Sequence, residues 1–327
     1  MAFLLAQADF LTRDQLMAGV VEETVEEDTL LDQIMFEDIA GHKQVVWNRE
    51  SSLGAVATFR EVNEEIAESA PTYSNQTQAL SILSTRVEID NFEAQTKGAV
   101  QAVIPTVMAT KFKQMWRQFH DTFYYGTAKG ASSSAFAGLH NLVSTATPDM
   151  TTAQGSGAVG AALSLANLDA TISLVIPGKP DALIMNRNIL NRLSAPYIST
   201  VTYNIDKNTI GDKIPDYGGI PIVVTDFVTQ TETIATAAFS AKTGGATTTI
   251  FAVKWGRDAR TLPGTGNVFN NNGVLGVQGG GLTALPPHAM EKKSGFSFII
   301  EWYVTVILGS NLSLARIDGI TNAAVVV

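Results

Sequence analysis

The sequence predicts an α+β fold in which one long helix accompanies strands of very different length. Apolar residues recur at helical spacing, which places all of them on one face of a single helix: Ile104, Met108, Phe112, Met115, Phe119 and Phe123. From Phe296 to Leu308 every second residue is apolar over 13 positions, the pattern of a strand far longer than the usual length of about 5–6 residues. A third segment, from Lys43 to Phe92, also has a period of two.

The composition excludes several classes of protein. The chain has 327 residues, 45% hydrophobic and 16% charged, enough to build a sizeable core. It has no cysteine, which excludes disulfides and thiolate metal sites. Met1 to Ala8 is apolar but lacks the basic residues of a signal peptide, and Phe296 to Leu308 is too short to cross a bilayer. We therefore expect no membrane association.

Charge is distributed unevenly along the chain. The formal net charge is −9, yet residues 1–70 hold 15 acidic and 4 basic side chains, and the remainder carries +2. Thr12 to Gln15 forms a capping box that predicts a helix, and one side of this helix is acidic: Glu22, Glu23, Glu26 and Glu27. The acidic side is either a solvated surface or an arm that lies on the basic surface of a neighbouring subunit. The composition does not indicate a nucleic-acid-binding protein.

The segment after this helix predicts a long hairpin. Its strand candidates are Gln44 to Arg49, Val56 to Val62, and Gln78 to Asp90, with a polar, acidic stretch from Glu61 to Ser74 between them. A hairpin of this kind has too little core to be stable alone. It needs a surface to pack on.

The long helix is predicted to end at Tyr124-Tyr125-Gly126, where we expect glycine to adopt the left-handed conformation. Lys111, Lys113 and Arg117 must point away from its apolar stripe. Trp116 beside these basic residues suggests either an aromatic–basic nucleic-acid site or a helix-packing residue, and we favour packing.

The second half of the chain alternates between helices and strands. Thr147 to Gly160 is predicted as a loop, followed by a helix that Ser164 caps and Pro177-Gly178 ends. The remaining elements are a strand at Ala182 to Met185, a helix at Asn188 to Leu193, strands at Gly219 to Val224 and Thr248 to Trp255, and a long Gly- and Asn-rich loop at Leu262 to Pro287.

No motif points to catalysis. The four histidines, His42, His120, His140 and His288, show no metal-ligand spacing. The nucleophile elbow, the P-loop and the dinucleotide fingerprint are all missing from the sequence. We therefore predict that the protein is not an enzyme and has no catalytic, cofactor-binding or metal-binding residues, and no cofactor.

The order of the elements carries a resemblance. An acidic helix (12–28), a long hairpin (43–92) and the long helix (about 99–125) precede Phe136-Ala137-Gly138-Leu139, Asp181 to Asn186, Gly219 to Val224 and the long strand. This order resembles the tailed-phage major capsid family, named for phage Hong Kong ninety-seven. The resemblance implies four parts: an N-terminal arm (1–42), an extended hairpin loop (43–95), a peripheral domain (96–164 and 288–327) and an axial domain (165–287).

The resemblance also implies a function. Hexamers and pentamers of the chain would close into an icosahedral phage head around double-stranded DNA, which they would contact without sequence specificity. The implied partners are a portal and a separate scaffolding protein, and the implied location is the virion, assembled in the host bacterial cytoplasm. Residues 44–96 contain no lysine, so the covalent cross-linking of some family members is not expected. An encapsulin-like nanocompartment, which shares the fold and holds protein cargo, is the alternative.

We predict subunit interfaces at charged and aromatic residues of the arm, the hairpin and the long helix. The candidates are Glu22, Glu23, Glu26, Glu27, Trp47, Phe59, Glu64, Glu65, Arg86, Lys111, Lys113 and Arg117.

Overall fold

The computed structural model describes residues 30–39, 41–52, 54, 59–64, 68, 70–92, 103–129, 133–144, 149–154, 160–194, 202–205, 213–233, 242–256, 261–262, 266–267 and 273–326. The helices are α1 (Leu30–Gln33), α2 (Val103–Tyr125), α3 (Leu139–Ser144), α4 (Leu165–Leu174) and α5 (Arg187–Ser194). The strands are β1 (Phe36–Asp38), β2 (Gln44–Ser52), β3 (Thr72–Ala79), β4 (Ser81–Asp90), β5 (Thr151–Ala153), β6 (Ala161–Ser164), β7 (Ala182–Met185), β8 (Thr202–Ile205), β9 (Lys213–Tyr217), β10 (Ile220–Val224), β11 (Thr247–Val253), β12 (Thr261–Leu262), β13 (Gly266–Asn267), β14 (Val274–Ala284), β15 (His288–Ala289), β16 (Gly295–Leu308) and β17 (Leu314–Val326).

Two large sheets organise the fold, and the predicted α+β class is confirmed. The first, here called the β16 sheet, has the order β1-β14-β16-β15, with β4 also paired to β16. The second, the β17 sheet, has the order β5-β17-β11-β7-β10-β9-β8, with β6 also paired to β17. Helices α4 and α5 pack against β17. A separate two-stranded ribbon, β2 with β3, forms the hairpin.

Helix α2 packs its apolar stripe on the β16 sheet. Met115, Phe119 and Phe123 are buried, as the helical spacing predicts. The Phe119 ring lies 4.8 Å from that of Trp302 on β16, centroid to centroid. Burial of such large side chains from water is the main favourable term that fixes the helix on the sheet. Ile104 lies in the first turn of the helix, where side chains are not described.

The glycine that ends α2 is required for a reason other than the predicted one. Gly126 does not have a left-handed backbone. A Cβ atom at this position would instead lie 2.4 Å from the carbonyl oxygen of Phe136. Gly138 is equally tight, since its Cβ would lie 2.6 Å from the amide nitrogen of Gly126. The two glycines let the chain after the helix fold back against the helix end, where the Gly138 amide donates to the Gly126 carbonyl at 2.8 Å.

The long strand is confirmed, and it pairs with three of the other four strands of the first sheet, β4, β14 and β15. β4 runs antiparallel to β16 over ten residue pairs, from Gly295↔Asp90 to Val304↔Ser81. On the other side, β16 pairs with β14 from Val274↔Leu308 to Ala284↔Ile300. Trp302, Val304 and Val306 are buried, but Phe296 at the start of the strand is exposed. The alternation therefore predicts the strand correctly and overestimates the buried length of that face.

The prediction of one long loop from Leu262 to Pro287 is wrong. Residues Val274–Ala284 form β14, the neighbour of β16. The pairing register shifts between Gln278 and Leu282, and Gly280 and Gly281 within this interval have positive φ angles. These glycines make an irregularity inside a strand rather than a loop, because only glycine adopts this backbone without strain.

Other boundaries also change. Residues 59–62 form no strand, and the predicted strand Gln78 to Asp90 is divided between β3 and β4. The predicted loop from Thr147 contains the short strand β5. The predicted acidic helix at 12–28 lies outside the described residues. Among the described helices, none is long and apolar enough to span a membrane.

Replacing Phe119 with Ala tests the packing of α2. We expect the free energy of unfolding of the unassembled subunit to fall by about 3–5 kcal/mol, because a fully buried aromatic side chain leaves a cavity. Chemical denaturation followed by circular dichroism measures this. The matched control is Phe59→Ala, which removes a fully exposed ring and should leave the unfolding free energy nearly unchanged. Equal stabilities of the two variants would contradict the assigned packing.

Candidate assembly surfaces

The hairpin has one face turned towards the body and one turned to solvent. β2 and β3 pair antiparallel from Gln44↔Ala79 to Ser52↔Thr72. Val45, Trp47 and Arg49 are partly buried, whereas Val46 and Asn48 between them are exposed. The face of the ribbon that carries Val46 and Asn48 is therefore exposed to solvent in the single subunit.

The hairpin root, defined here as Val45, Trp47 and Arg49, packs on the β16 sheet. Val45 and Trp47 contact the buried cluster of Leu275, Val277 and Ile307. These three residues lie on the face of the sheet opposite α2, because successive side chains of a strand point to opposite faces. The sheet is thus covered by the helix on one face and by the hairpin root on part of the other.

Arg49 fixes the root to the end of the long strand. Its guanidinium donates to the carbonyl oxygens of Leu308 at 2.8 Å and Gly309 at 3.1 Å, and to Oδ1 of Asn311 at 2.7 Å. Burial lowers the pKa of Arg49 from its ordinary value. An arginine side chain stays protonated in proteins, so Arg49 keeps its charge at neutral pH. Sequence reasoning missed this residue because all three of its acceptors lie about 260 positions away.

The hairpin tip, residues 59–64, is an ordered turn that displays two apolar side chains. The Glu61 amide donates to Oε2 of Glu64 at 2.9 Å, and Asn63 has a φ of 71°. Phe59 is fully exposed, and Val62 is 90% exposed. Large apolar side chains held in solvent in this way mark interaction sites.

The helix α2 carries the predicted basic face. Lys113 and Arg117 are exposed and lie one helical turn apart, and the Lys111 ammonium donates to Gln114 Oε1 at 2.9 Å. Trp116 points the other way, with its ring 5.3 Å from that of Trp302. The helix-packing interpretation of Trp116 is confirmed.

The described interface candidates do not form one site. Trp47 lies at the hairpin root, Phe59 and Glu64 lie at its tip, and the basic residues lie on α2. Arg86 is on β4, in an exposed ion pair with Glu88 at 3.0 Å, which contributes little to stability. Glu22, Glu23, Glu26, Glu27 and Glu65 lie outside the described residues. All twelve stay predictions as interface residues.

A buried polar cluster joins the end of α2 and the helix α3 to the β17 sheet, and sequence analysis did not find it. Glu232 is buried, accepts a hydrogen bond from the Tyr125 hydroxyl, and accepts another from Thr249 Oγ1 at 2.6 Å. Its Oε1 lies 3.4 Å from Nε2 of the buried His140. Burial, followed by the nearby charge of Glu232, raises the pKa of Tyr125 well above its ordinary value, so the tyrosine stays a donor.

Arg316 extends this cluster to β17. It donates to the His140 carbonyl at 3.2 Å and to Thr151 Oγ1 at 3.2 Å, and it faces Asp318 at 3.6 Å. Burial lowers the pKa of Arg316 and raises that of Asp318. His140 and Thr151 lie 176 and 165 positions from Arg316 in the chain, so no local sequence pattern indicates these contacts. Their hydrogen bonds are largely satisfied within the fold, which makes the cluster a structural joint rather than a reactive site.

The described residues contain no group of His, Asp and Glu side chains placed to hold a metal ion. Three described surfaces are open to a partner: the outer face of the ribbon, its apolar tip and the basic side of α2.

Comparison with solved structures identifies the architecture. The chain superposes on the SrpI encapsulin from Synechococcus elongatus PCC 7942 with a TM-score of 0.69 at 13% identity, over 100% of this chain and 99% of that one. It superposes on the capsid of a native GTA particle with a TM-score of 0.62 at 12% identity, over 94% of this chain and 95% of that one. It superposes on the capsid of Myoviridae phage XM1 with a TM-score of 0.60 at 11% identity, over 94% of this chain and 96% of that one.

The chain has the tailed-phage capsid fold. The resemblance predicted from the order of elements is thus confirmed for the fold. At the level of sequence, no family model and no curated protein matches the chain. The fold is thus shared although only about one residue in eight is identical between this chain and these proteins.

Replacing Arg49 with Met tests how the hairpin is held. The substitution keeps most of the apolar length but leaves the carbonyls of Leu308 and Gly309 without their donor. We expect faster cleavage of the hairpin by a non-specific protease, measured by mass spectrometry of the first fragments. Arg60→Met at the tip is the control, since Arg60 donates to the Glu64 carbonyl of its own turn and, among the described residues, to no part of the body. Equal cleavage rates in both variants would show that Arg49 does not anchor the root.

Proposed function

We propose that this protein is the major capsid protein of a tailed phage, which assembles as hexamers and pentamers into an icosahedral head. The capsid fold along 94–100% of the chain carries the proposal. The division into an arm (1–42), an extended loop (43–95), a peripheral domain (96–164 and 288–327) and an axial domain (165–287) belongs to the proposal. So do a separate scaffolding protein, a portal, packaged double-stranded DNA, and assembly in the cytoplasm of the host.

The surfaces of the subunit support assembly. A two-stranded ribbon is marginally stable in water unless something packs on it. Among the described residues of the hairpin, the root packs on the body and the tip presents Phe59 and Val62 to solvent. Contacts between unlike surfaces of identical subunits produce rings when the rotation closes. In a shell built from such rings, the exposed surfaces of each subunit would be covered by its neighbours.

An encapsulin-like nanocompartment is the second candidate. The SrpI encapsulin aligns over 100% of this chain with a TM-score of 0.69, against 0.62 and 0.60 for the two phage-related capsids. Both candidates are shell proteins without catalytic function. They differ in what the shell encloses.

Particle contents distinguish the two candidates. We expect the protein, expressed with its neighbouring genes, to sediment as closed particles that protect double-stranded DNA from nuclease. Electron microscopy gives the particle size, and gel analysis of nuclease-treated particles gives the contents. Particles that hold a co-purifying protein and no protected DNA would favour the nanocompartment. A discrete monomer or dimer under all assembly conditions, with or without scaffold, would overturn both.

The acidic arm is proposed to lie on a neighbouring subunit. Its charges sit in a segment of net −11, and the candidate partners are basic residues of the body: Lys111, Lys113, Arg117, Arg187 and Arg192. Each exposed ion pair contributes only about 0.2–1 kcal/mol. Repetition over many copies in a closed shell makes the sum significant.

Reversing the arm charges tests this contact. The variant with Glu22, Glu23, Glu26 and Glu27 all changed to Lys should fold but not assemble, and salt should weaken wild-type assembly because screening acts over about 8 Å at physiological ionic strength. Circular dichroism reports folding and sedimentation reports assembly. Glu291→Lys, which reverses an exposed charge outside the arm, is the control. Normal shells from the fourfold variant would mean that the acidic side is only solvated.

A further inference from the structure

A cavity of about 370 Å³, here called the root cavity, lies between the hairpin root and the β16 sheet. Apolar side chains from both elements line it: Ile39, Val45, Trp47, Val277 and Ile307. Val277 and Ile307 are buried, and the other three are partly buried. Binding sites for small molecules are mostly apolar and have volumes of about 300–1,000 Å³. The root cavity is at the lower end of this range, so it suits a molecule of one or two rings.

The wall of the root cavity contains a buried donor that is not used within the described structure. The indole nitrogen Nε1 of Trp47 is buried and has no hydrogen-bond acceptor among the described residues. Buried N–H groups are paired in the great majority of folded proteins, because an unpaired one has lost its water without gaining a partner. Since the indole ring is part of the cavity wall, an oxygen atom of a bound molecule can supply the missing acceptor.

The other polar groups of the wall are engaged or exposed. Glu37 has a partner within the chain, and the Gly309 carbonyl accepts a hydrogen bond from Arg49 at 3.1 Å. Asn48 and Asn75 are exposed and bonded to each other, with Nδ2 of Asn75 donating to Oδ1 of Asn48 at 3.0 Å. A buried water needs about two to four polar partners. A wall of this kind therefore favours an occupant that is mainly apolar and carries one acceptor.

The root cavity exists only while the hairpin root lies on the sheet. Val45 and Trp47 belong to β2, whereas Val277 belongs to β14 and Ile307 to β16. A molecule in the cavity touches both sides and therefore binds only the docked root. A ligand that binds one of two states stabilises that state. At a free concentration of ten times its Kd, such a ligand makes undocked hairpins about elevenfold rarer.

We propose that the root cavity binds a small molecule of one or two rings with a carbonyl oxygen, which accepts a hydrogen bond from Trp47 Nε1. The bound molecule holds the hairpin root on the β16 sheet. The cavity is formed within a single subunit, so the site does not depend on the proposed shell and can be tested on the unassembled chain.

Benzophenone is a suitable probe, because it has two rings and one carbonyl and forms covalent bonds with nearby C–H groups in near-ultraviolet light. Titration into the unassembled subunit, followed by ligand-detected NMR, should show saturable binding. After irradiation, mass spectrometry of peptides should place the main adduct on residues that line the root cavity, such as Val45, Val277 or Ile307. The absence of saturable binding, or adducts only outside the cavity lining, would overturn the proposal.

Trp47→Phe tests the hydrogen bond. The substitution removes the N–H and keeps an aromatic ring, so the Kd of benzophenone should rise about fivefold or more. The Kd of diphenylmethane, which has the same two rings and no oxygen, should stay nearly unchanged. Trp255→Phe is the matched control, because Trp255 Nε1 is also buried without an acceptor among the described residues but does not line the cavity. An unchanged Kd of benzophenone in Trp47→Phe, or equal losses for the two compounds, would overturn the assigned contact.

Limited proteolysis measures the effect on the hairpin. At ten times its Kd, benzophenone should slow cleavage within residues 45–49 of the wild-type subunit by up to about elevenfold, and the same concentration should protect Trp47→Phe less. Cleavage that saturating benzophenone does not slow would show that the molecule does not hold the root, and would overturn that part of the proposal. None of these measurements involves shells, so a negative result leaves the proposed function standing. Failure of the chain to form shells would in turn leave the cavity site standing.

Discussion

The packing of Phe119 is the contact on which the rest of the fold depends. Its ring touches three aromatic rings from distant parts of the chain: Phe36 at 6.0 Å, Phe136 at 5.7 Å and Trp302 at 4.8 Å between centroids. These rings belong to the first strand, to the segment after α2, and to the long strand. One side chain thereby packs the helix against β1, against β16 and against the segment that folds back after Gly126. The helix covers one face of that sheet, so the hairpin packs on the opposite face.

The hairpin is anchored at one end and open at the other. Arg49 and Trp47 hold its root against β14 and β16, by three charge-assisted hydrogen bonds and by an apolar contact. Beyond the root, the described ribbon meets water on its outer face, and its tip shows two apolar side chains. The hairpin thus has one end that is held by the subunit and one end whose apolar side chains are exposed to solvent. This combination suits a protein whose function is carried by contacts between copies.

The polar cluster around Glu232 ties the end of α2 and the helix α3 to the β17 sheet. Tyr125 reaches it from the end of α2, His140 from α3, and Arg316 from β17. A buried charge is costly unless hydrogen bonds and an opposite charge satisfy it, and such clusters favour one arrangement over others more than they add stability. The cluster therefore holds the end of α2 and the helix α3 against the β17 sheet.

The sequence by itself determined the elements that have their own periodicity. The apolar stripe of α2, the alternation of β16 and the short strand Ala182–Met185 are local patterns, and all three are found where the sequence predicts them. The order of these elements was also enough to indicate the capsid fold. Tertiary structure decided what depends on distant partners. β14 is a strand because β16 pairs with it, although its glycines predict a loop, and Gly126 is required because the Phe136 carbonyl lies against it. The Arg49 anchor and the Glu232 cluster have no local sequence signal, since each is made by residues that meet only after the chain has folded.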